Sequence, residues 1–315
     1  MARKIILDTD PGIDDAMAVF LALGAPEVEL VGLTTVFGNV HVDLATVNAL
    51  RLLEIGGRGD IPVATGAAKP LFAHYKGPAP EIHGADGQGN LFLPPPTTSA
   101  VNLPAAEFII EEVRRYPGEI TLVAIGPLTN LALALQIEPG IAERTREVVI
   151  MGGNAFVPGN ATPTAEANIL NDPDAADLVF GARWPVTMVG LDVTHKVRMT
   201  RRQISVCAEM LNPLGKHVAQ ITPLYCDFYA ETYGLDGIYV HDSTAIAYVI
   251  NPNLFTVEQW PVRVDASDGI SRGKTWPATD NWVHPDWQGR PPVTICTDVD
   301  GDGVVELHYR QFNAS

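Results

Sequence analysis

The sequence has few cysteines, few basic residues and no long hydrophobic run, and each shortage argues against a class of protein. Its three cysteines, Cys207, Cys226 and Cys296, form no CxxC pair and no even-numbered framework, so neither a disulfide scaffold nor a cysteine zinc site is expected. We expect these cysteines to act as small apolar residues of a protein in a reducing compartment. Lys and Arg number 21 against 37 Asp and Glu, a net charge of −16, so a nucleic-acid partner is not expected.

The hydrophobic segments are all short. None approaches the roughly 18 uninterrupted apolar residues of a membrane span, and Met1–Lys4 leads directly into a predicted strand without the apolar core of a signal peptide. We therefore expect a cytoplasmic protein with no membrane contact. With 315 residues, 46% hydrophobic and 18% charged, the chain has the composition of a folded globular protein.

Short β-like runs alternate with amphipathic segments through the first two thirds of the chain. The predicted strands are Lys4–Asp8, Glu29–Val36, Ile61–Thr65, Ile120–Ile125, Glu147–Met151 and Val186–Leu191. The predicted helices between them include His41–Ile55, Ala105–Tyr116, Leu128–Gln136 and Asp174–Phe180. This alternation predicts one α/β domain over residues 1–315, with a mostly parallel, Rossmann-like open sheet flanked by helices and an active site at the carboxyl ends of its strands.

Three longer segments interrupt the alternation. The Pro- and Gly-rich stretches Phe72–Ser99 and Gly152–Thr164 are predicted to be surface loops, and long loops in a compact domain are often functional. Residues Thr200–Tyr239 are predicted to be helical. Within them Tyr225, Tyr229 and Tyr233 recur at a spacing of four, which places them on one helix face.

Two features of the carboxyl-terminal region are interpreted as structural. The acidic run 298–303 resembles the start of an EF-hand loop, but its twelfth position is Tyr309, where a bidentate Glu is required. We expect it to be a hairpin turn between strands Thr294–Thr297 and Val304–Tyr309. The tryptophans in this region are expected to be core or interface residues, and they are Trp260, Trp276, Trp282 and Trp287.

Four aspartates crowd the first predicted strand-to-helix junction, and they are Asp8, Asp10, Asp14 and Asp15. One or two acidic residues in the first turn of a helix complement its dipole and need no other explanation. Four within eight residues exceed that requirement, and carboxylates this close repel one another unless a cation or protons offset their charge. The cluster therefore predicts a site for a hard metal ion at the ligand-binding edge of the sheet.

Amide and carboxylate side chains also follow several other predicted strands. These segments are Val36-Phe37-Gly38-Asn39, Gly126-Pro127-Leu128-Thr129-Asn130, Gly159-Asn160, Ala165-Glu166-Ala167-Asn168 and Val240-His241-Asp242. A single Asn after Gly is more often a turn residue. Their repeated placement at one rim of a sheet predicts a hydrogen-bonding surface for a polyhydroxylated ligand such as a sugar.

The run Asp8-Thr9-Asp10-Pro11-Gly12-Ile13-Asp14-Asp15-Ala16 resembles the amino-terminal signature of the calcium-dependent nucleoside hydrolases. The segments around Asn39, His83, Met151, Asn160, Glu166 and His241 match that family in order and approximate spacing. The resemblance implies hydrolysis of the N-glycosidic bond of ribonucleosides to ribose and a free base, through calcium-activated water and an oxocarbenium-like transition state. It also implies a homo-oligomer, either a dimer or a tetramer.

The resemblance assigns roles to individual positions. One Ca²⁺ would be held by Asp10, Asp15, Asp242 and the backbone carbonyl of Ile125, and Asp10 would also be the general base. The residues that would hold the ribose are Asp14, Asn39, Met151, Asn160, Glu166 and Asn168. The residues that would protonate or orient the departing base are His241, Tyr225, Tyr229 and His83.

Other interpretations of these residues remain open. His241 could cap the helix that follows it, His83 could be exposed, and the tyrosines could only pack. A haloacid-dehalogenase-like phosphatase also uses two aspartates at a strand end, and a protein that keeps the fold could bind a nucleoside or sugar without catalysis. The chain departs from the family at Ala167, where an aromatic residue is common, and this change could widen the pocket.

Overall fold

The computed structural model describes residues 2–72, 74–210, 212–280 and 284–313. The strands in these residues are β1 Arg3–Thr9, β2 Val28–Thr35, β3 Val63–Thr65, β4 Thr121–Ala124, β5 Glu147–Met151, β6 Val186–Val189, β7 Arg198–Thr200, β8 Gly237–Tyr239, β9 Phe255–Val264, β10 Thr275–Pro277 and β11 Pro292–Val299. The helices are α1 Ile13–Gly24, α2 Val42–Ile55, α3 Pro80–His83, α4 Ala105–Arg115, α5 Thr129–Ile137, α6 Ile141–Arg144, α7 Ala167–Asn171, α8 Pro173–Gly181, α9 Leu191–Thr194, α10 Arg201–Glu209, α11 Pro213–Tyr233, α12 Asp242–Ile250 and α13 Gly301–Asn313.

One nine-stranded sheet organises the molecule, in the order β10-β9-β11-β6-β5-β4-β1-β2-β3. The neighbours from β11 through to β3 pair in parallel, whereas β9 and β10 add an antiparallel edge. The predicted α/β fold with a mostly parallel sheet is confirmed. Because β1 lies between β4 and β2 and pairs in parallel with both, its carboxyl end is flanked by the carboxyl ends of two neighbouring strands at the functional edge of the sheet.

Alternation along the central strands builds a core on each face of the sheet. In β1, Ile5 and Leu7 belong to one buried cluster with α1, whereas Ile6 belongs to the other with α4 and α5. In β5, Val149 and Ile150 divide between the same two clusters. Strands buried on both sides explain why these segments are apolar at nearly every position.

Two of the predicted elements are wrong. Thr294–Thr297 lies in β11, but Val304–Tyr309 lies in α13 rather than in a strand. Asp300 accepts a hydrogen bond from the backbone N–H of Gly303 at 3.0 Å, so the acidic run starts a helix where a hairpin turn was expected. The predicted helical region Thr200–Tyr239 divides into α10 and α11 and then ends in β8, which pairs with β7.

The two predicted loops flank the functional edge. The loop Phe72–Ser99, apart from Ala73, which lies outside the described residues, contains the single helical turn α3. Of the carboxyl-terminal tryptophans, Trp282 also lies outside the described residues, and Trp276 is 46% exposed on the surface. Among the described residues, no helix has both the length and the apolar character needed to cross a membrane.

Candidate active site

The four aspartates of the first strand-to-helix junction make different contacts, and Asp8 is the one that lies within β1. Asp8 accepts hydrogen bonds from Thr34 Oγ1 at 2.5 Å and from Asn130 Nδ2 at 2.7 Å, so it ties β1 to β2 and α5. Burial raises the pKa of the Asp8 carboxyl to about 7, although both hydrogen bonds oppose the shift. Its contacts are structural.

Asp15 is anchored by the start of α1. Its carboxylate accepts hydrogen bonds from Thr9 Oγ1 at 2.6 Å and from the backbone N–H of Gly12 at 2.9 Å, which satisfies one of the free donors at the helix start. Asn39, in the loop that follows β2, donates its side-chain N–H to Asp15 at 2.9 Å and its backbone N–H to Asp10 at 2.6 Å. Asn39 therefore fixes two carboxylates relative to each other.

Two adjacent carboxylates and one from a distant part of the sequence meet at this point. One oxygen each from Asp14, Asp15 and Asp242 lies within 4.8 Å of the others, and all three side chains are buried. Asp242 is the first residue of α12, whose start is brought to the end of β1 because α12 packs on α1. The cluster contains Asp14, which the resemblance assigned to ribose, beside two of the four expected metal ligands.

Asp10 lies next to this cluster, and one of its two carboxylate oxygens is available to accept a further contact. Its Oδ1 is buried and has no hydrogen-bond partner among the described residues, and the same is true of Asp14 Oδ1. A Cβ added at Gly126 would lie 2.5 Å from Asp10 Oδ1, and one at Gly38 would overlap the Asp10 carboxylate. Both glycines therefore allow the backbone to approach a carboxylate that a larger residue would displace.

The electrostatics of the cluster favour a divalent cation. Burial, and then the nearby Asp15 carboxylate, raise the pKa of Asp10 well above its usual range. Burial, and then Asp14, do the same for the pKa of Asp242. A cation would offset both effects, and an oxygen-only donor set with unpaired carboxylate oxygens suits a hard ion such as Ca²⁺. The carbonyl oxygen of Ile125, which accepts Asn168 Nδ2 at 2.9 Å, has a second lone pair for such an ion.

A cavity of about 410 Å³ opens above the carboxylates, within the range of small-molecule sites. The lining residues on its polar side are Asp14, Asn39, Met151, Asn160, Glu166, Asn168 and Asp242. Glu166 is 1% exposed and accepts backbone N–H groups from Gly153, Asn168 and Ile169, so it caps α7 as well as facing the cavity. Asn160 is exposed at the rim and accepts the N–H of Ala167 at 3.1 Å.

The other side of the cavity is aromatic. Tyr225 donates a hydrogen bond to Asp14 Oδ2 at 3.0 Å, and its hydroxyl lies 3.2 Å from that of Tyr229. The Tyr229 hydroxyl lies 2.9 Å from Nε2 of His241, which precedes α12. Burial, and then the nearby His195, lower the pKa of His241 to about 3. A continuous hydrogen-bond chain thus joins His241 to the carboxylate cluster.

His83 is buried rather than exposed. It ends α3, and its Nδ1 accepts the backbone N–H of Ile13 at 3.1 Å, so the imidazole caps the start of α1. A Cβ at Gly12 would lie 2.5 Å from this ring nitrogen. The His83 ring also lies 5.5 Å from the Tyr225 ring, between centroids, which places it on the aromatic side of the cavity.

Sequence reasoning missed part of this site. Thr194 lies 2.8 Å from Nδ1 of His241, and no motif pointed to it. Phe228 and Tyr233 also line the cavity, and only Tyr233 carried a signal, through its spacing from Tyr225 and Tyr229. The buried tyrosines and histidine favour a binding surface over simple helix packing, because their polar atoms pair with one another at the cavity wall.

Comparison with known proteins agrees with this geometry. Residues 5–306 match the family model described as inosine-uridine preferring nucleoside hydrolase. The chain belongs to this family. It is 44% identical over 310 residues to a probable uridine nucleosidase 2 of Arabidopsis thaliana, covering 97% of this chain and 96% of that protein.

Two further comparisons extend the match. The chain is 43% identical over 280 residues to an inosine-uridine preferring nucleoside hydrolase of Leishmania major, covering 87% of each chain. The solved structure of a plant nucleoside hydrolase superimposes with a TM-score of 0.97 at 40% identity, covering 100% of both chains. The chain is therefore a metal-dependent nucleoside hydrolase, and the phosphatase and the non-catalytic binding protein are not favoured.

Proposed function

We propose that this nucleoside hydrolase cleaves uridine and inosine with the help of one Ca²⁺. One observation carries the proposal: Asp14 and Asp242 of the buried carboxylate cluster line the same cavity as the histidine–tyrosine hydrogen-bond chain. The first suits the ribose and its metal, and the second suits a base that leaves with negative charge. The names of the Arabidopsis and Leishmania relatives support these two substrates.

The residues proposed to hold the ion are Asp10, Asp15, Asp242 and the carbonyl group of Ile125. When bound, such a cation lowers the pKa of water and orients hydroxyl groups of the sugar. The unpaired Oδ1 of Asp10 is a free acceptor at this place, so Asp10 is the proposed general base that takes a proton from the attacking water. Its other oxygen is held by the backbone of Asn39, which keeps the carboxylate oriented.

The ribose is proposed to lie against the polar side of the cavity. The proposed ribose contacts are Asp14, Asn39, Met151, Asn160, Glu166 and Asn168. As the glycosidic bond breaks, positive charge develops on the sugar ring, and carboxylates fixed in a water-poor site stabilise it. Burial keeps these charges from being screened by solvent.

The departing base is proposed to meet the aromatic side. His241, with Tyr225 and Tyr229 behind it, supplies a hydrogen-bond donor or proton to the base as the glycosidic bond breaks. His83 is buried beside Tyr225 and is proposed as a further contact of the base. Aromatic walls can also stack on either a pyrimidine or a purine ring.

We also propose that the enzyme is cytoplasmic and that it forms dimers or tetramers. All three cysteines are free and buried, which supports a reducing compartment. The oligomer rests on the resemblance alone, and light scattering of the purified protein would measure it.

A rate panel tests the proposed reaction. The purified protein is incubated with uridine, inosine, cytidine, adenosine or guanosine, and ribose release is measured. We expect uridine and inosine to be hydrolysed fastest, and a generic aryl phosphate to be stable. Release of phosphate from the aryl ester, with no ribose from uridine or inosine, would overturn the proposal.

A further inference from the structure

The hydrogen-bond chain at the base side begins at Thr194, outside the cavity. Thr194 Oγ1 lies 2.8 Å from Nδ1 of His241, and Tyr229 lies 2.9 Å from Nε2 of the same ring. Tyr229 and His241 line the cavity, whereas Thr194 is 0% exposed and does not. The Nε2 atom of the imidazole therefore faces the cavity, and the Nδ1 atom faces the buried hydroxyl of Thr194.

The number of protons available to these groups fixes which atom donates in each hydrogen bond between Asp14 and Thr194. An ionised Asp14 carboxylate can only accept, so the single proton of Tyr225 is committed to it. The contact between Tyr225 and Tyr229 then needs the proton of Tyr229, and this leaves only the oxygen of Tyr229 to face His241. The ring must donate from Nε2, and its Nδ1 accepts the hydroxyl proton of Thr194.

The opposite assignment satisfies fewer groups. If Nδ1 carried the proton, Nε2 would take the proton of Tyr229, and the two tyrosine oxygens would face each other at 3.2 Å without a hydrogen. The Thr194 hydroxyl proton would also lose its acceptor in a fully buried place. Leaving a buried donor unsatisfied costs about 1–3 kcal/mol, so the first assignment is favoured.

Thr194 has little freedom to move. It ends the short helix α9, and its backbone N–H donates to the carbonyl of Gly190 at 3.1 Å. Asp192, in the same helix, accepts the backbone N–H groups of Ala155 and Phe156 at 2.8 and 2.7 Å. These contacts fix α9 against the loop that follows β5, so the hydroxyl of Thr194 is presented to the ring from a rigid support.

We propose that Thr194 is a positioning residue that holds His241 in the Nε2–H tautomer, so that the ring presents an N–H rather than a lone pair on the side where both Tyr229 and the departing base lie. This inference rests on the proposed nucleoside hydrolysis. In this tautomer the N–H group of the ring faces the cavity, where the base needs a hydrogen-bond donor.

Three variants separate this role from a structural one. Thr194→Val keeps the shape and removes the hydroxyl, and Thr194→Ser restores it. Thr222→Val is the matched control, because the buried hydroxyl of Thr222 donates to the carbonyl of Val218 in its own helix. Each variant is assayed on uridine and on p-nitrophenyl riboside, whose leaving group needs no proton.

For uridine we expect Thr194→Val to lower kcat by about tenfold or more, and Thr194→Ser to stay within about threefold of wild type. On p-nitrophenyl riboside all variants should stay within about threefold. Thr222→Val should change neither rate beyond that range. Equal losses on both substrates, or no loss on uridine, would overturn the proposal.

The tautomer itself can be measured without activity. Nitrogen-15 spectra of histidine-labelled wild-type protein, assigned by the signal missing in His241→Ala, should show protonated Nε2 and unprotonated Nδ1. A protonated Nδ1 would overturn the inference even if Thr194→Val fails to fold. If wild-type protein releases ribose from uridine while the spectrum contradicts the tautomer, only this inference fails; if it releases none, the proposed function fails first.

Discussion

The two sides of the cavity are built in different ways. The metal side takes Asp10, Asp14 and Asp15 from six consecutive residues at the end of β1, the strand between β4 and β2 in the sheet. The aromatic side takes His83 from α3, two tyrosines from α11 and His241 from the start of α12, all outside the nine-stranded sheet. Asp242 belongs to the metal side although it lies in α12, because it follows His241 directly in the sequence.

This difference separates the chemistry from the choice of base. Side chains at the junction between β1 and α1 are held by hydrogen bonds on several sides, as Asp15 is by Thr9, Gly12 and Asn39. The side chains of the aromatic side lie on helices whose positions are set by packing, which tolerates substitution more readily. We therefore expect the metal side to set whether the reaction occurs, and the aromatic side to set which base leaves.

The largest effect is expected at the metal side. Asp10→Ala should lower kcat on every substrate by about three orders of magnitude or more, because it removes the proposed base and a ligand together. Circular dichroism should show that the fold is retained. Near-wild-type turnover in this variant would refute the role of Asp10, and a loss confined to one base would contradict the division between the two sides.

A large but selective effect is expected at His241. His241→Ala should lower the rate on inosine by about 10²–10⁴-fold, because the base loses its donor. The rate on p-nitrophenyl riboside should fall much less, since that leaving group is stable as an anion. Steady-state rates on the two substrates make the comparison, and equal losses would refute the role of His241 as donor to the base.

A smaller effect is expected where the two sides meet. Tyr225→Phe removes the hydroxyl that donates to Asp14 and faces Tyr229, so uridine hydrolysis should fall by about tenfold. Tyr248→Phe, at a partly buried tyrosine near Thr187 of β6, is the matched control and should leave the rate unchanged. The same rate in both variants would mean that the two sides act independently.

The smallest effect concerns stability and pH. Burial raises the pKa of Asp14 to about 6 and that of Asp8 to about 7, above the usual value of about 3.9. The folded, metal-free chain then binds more protons than the unfolded chain between about pH 4 and 7, so its stability falls as pH rises through that window. A cation favours ionised carboxylates and opposes this loss.

Melting temperatures with calcium and with a chelator should therefore diverge as pH rises. We expect the difference to be small near pH 5 and to reach several degrees near pH 8. A constant difference across this range would mean that the carboxylates do not titrate as the burial of the cluster requires.

The gathering of carboxylates near β1 was easier to predict from the sequence than the aromatic side of the cavity, for a physical reason. The carboxylates of β1 and α1 lie close in sequence, and their mutual repulsion signals a cation without knowledge of the fold. The central strands were also predictable, since apolar runs such as 120–125 suit strands buried on both faces.

The rest depended on contacts between distant segments. No local pattern shows that Thr194 faces His241, or that His83 caps α1, because helix packing brings these residues together. The hairpin expected near Gly301 is wrong because an acidic turn and a capped helix start share the same residue types, and only the tertiary context decides between them. The ligand set and the ribose contacts stay predictions.

The most direct test of the account is uridine hydrolysis before and after calcium removal. The protein is dialysed against a chelator, assayed, and assayed again after Ca²⁺ or Mg²⁺ is returned in excess. We predict that ribose release falls to near background without the cation and that Ca²⁺ restores it more fully than Mg²⁺, because the oxygen ligands are numerous and include a backbone carbonyl. Full activity in chelated protein that elemental analysis shows to be metal-free would contradict the central claim.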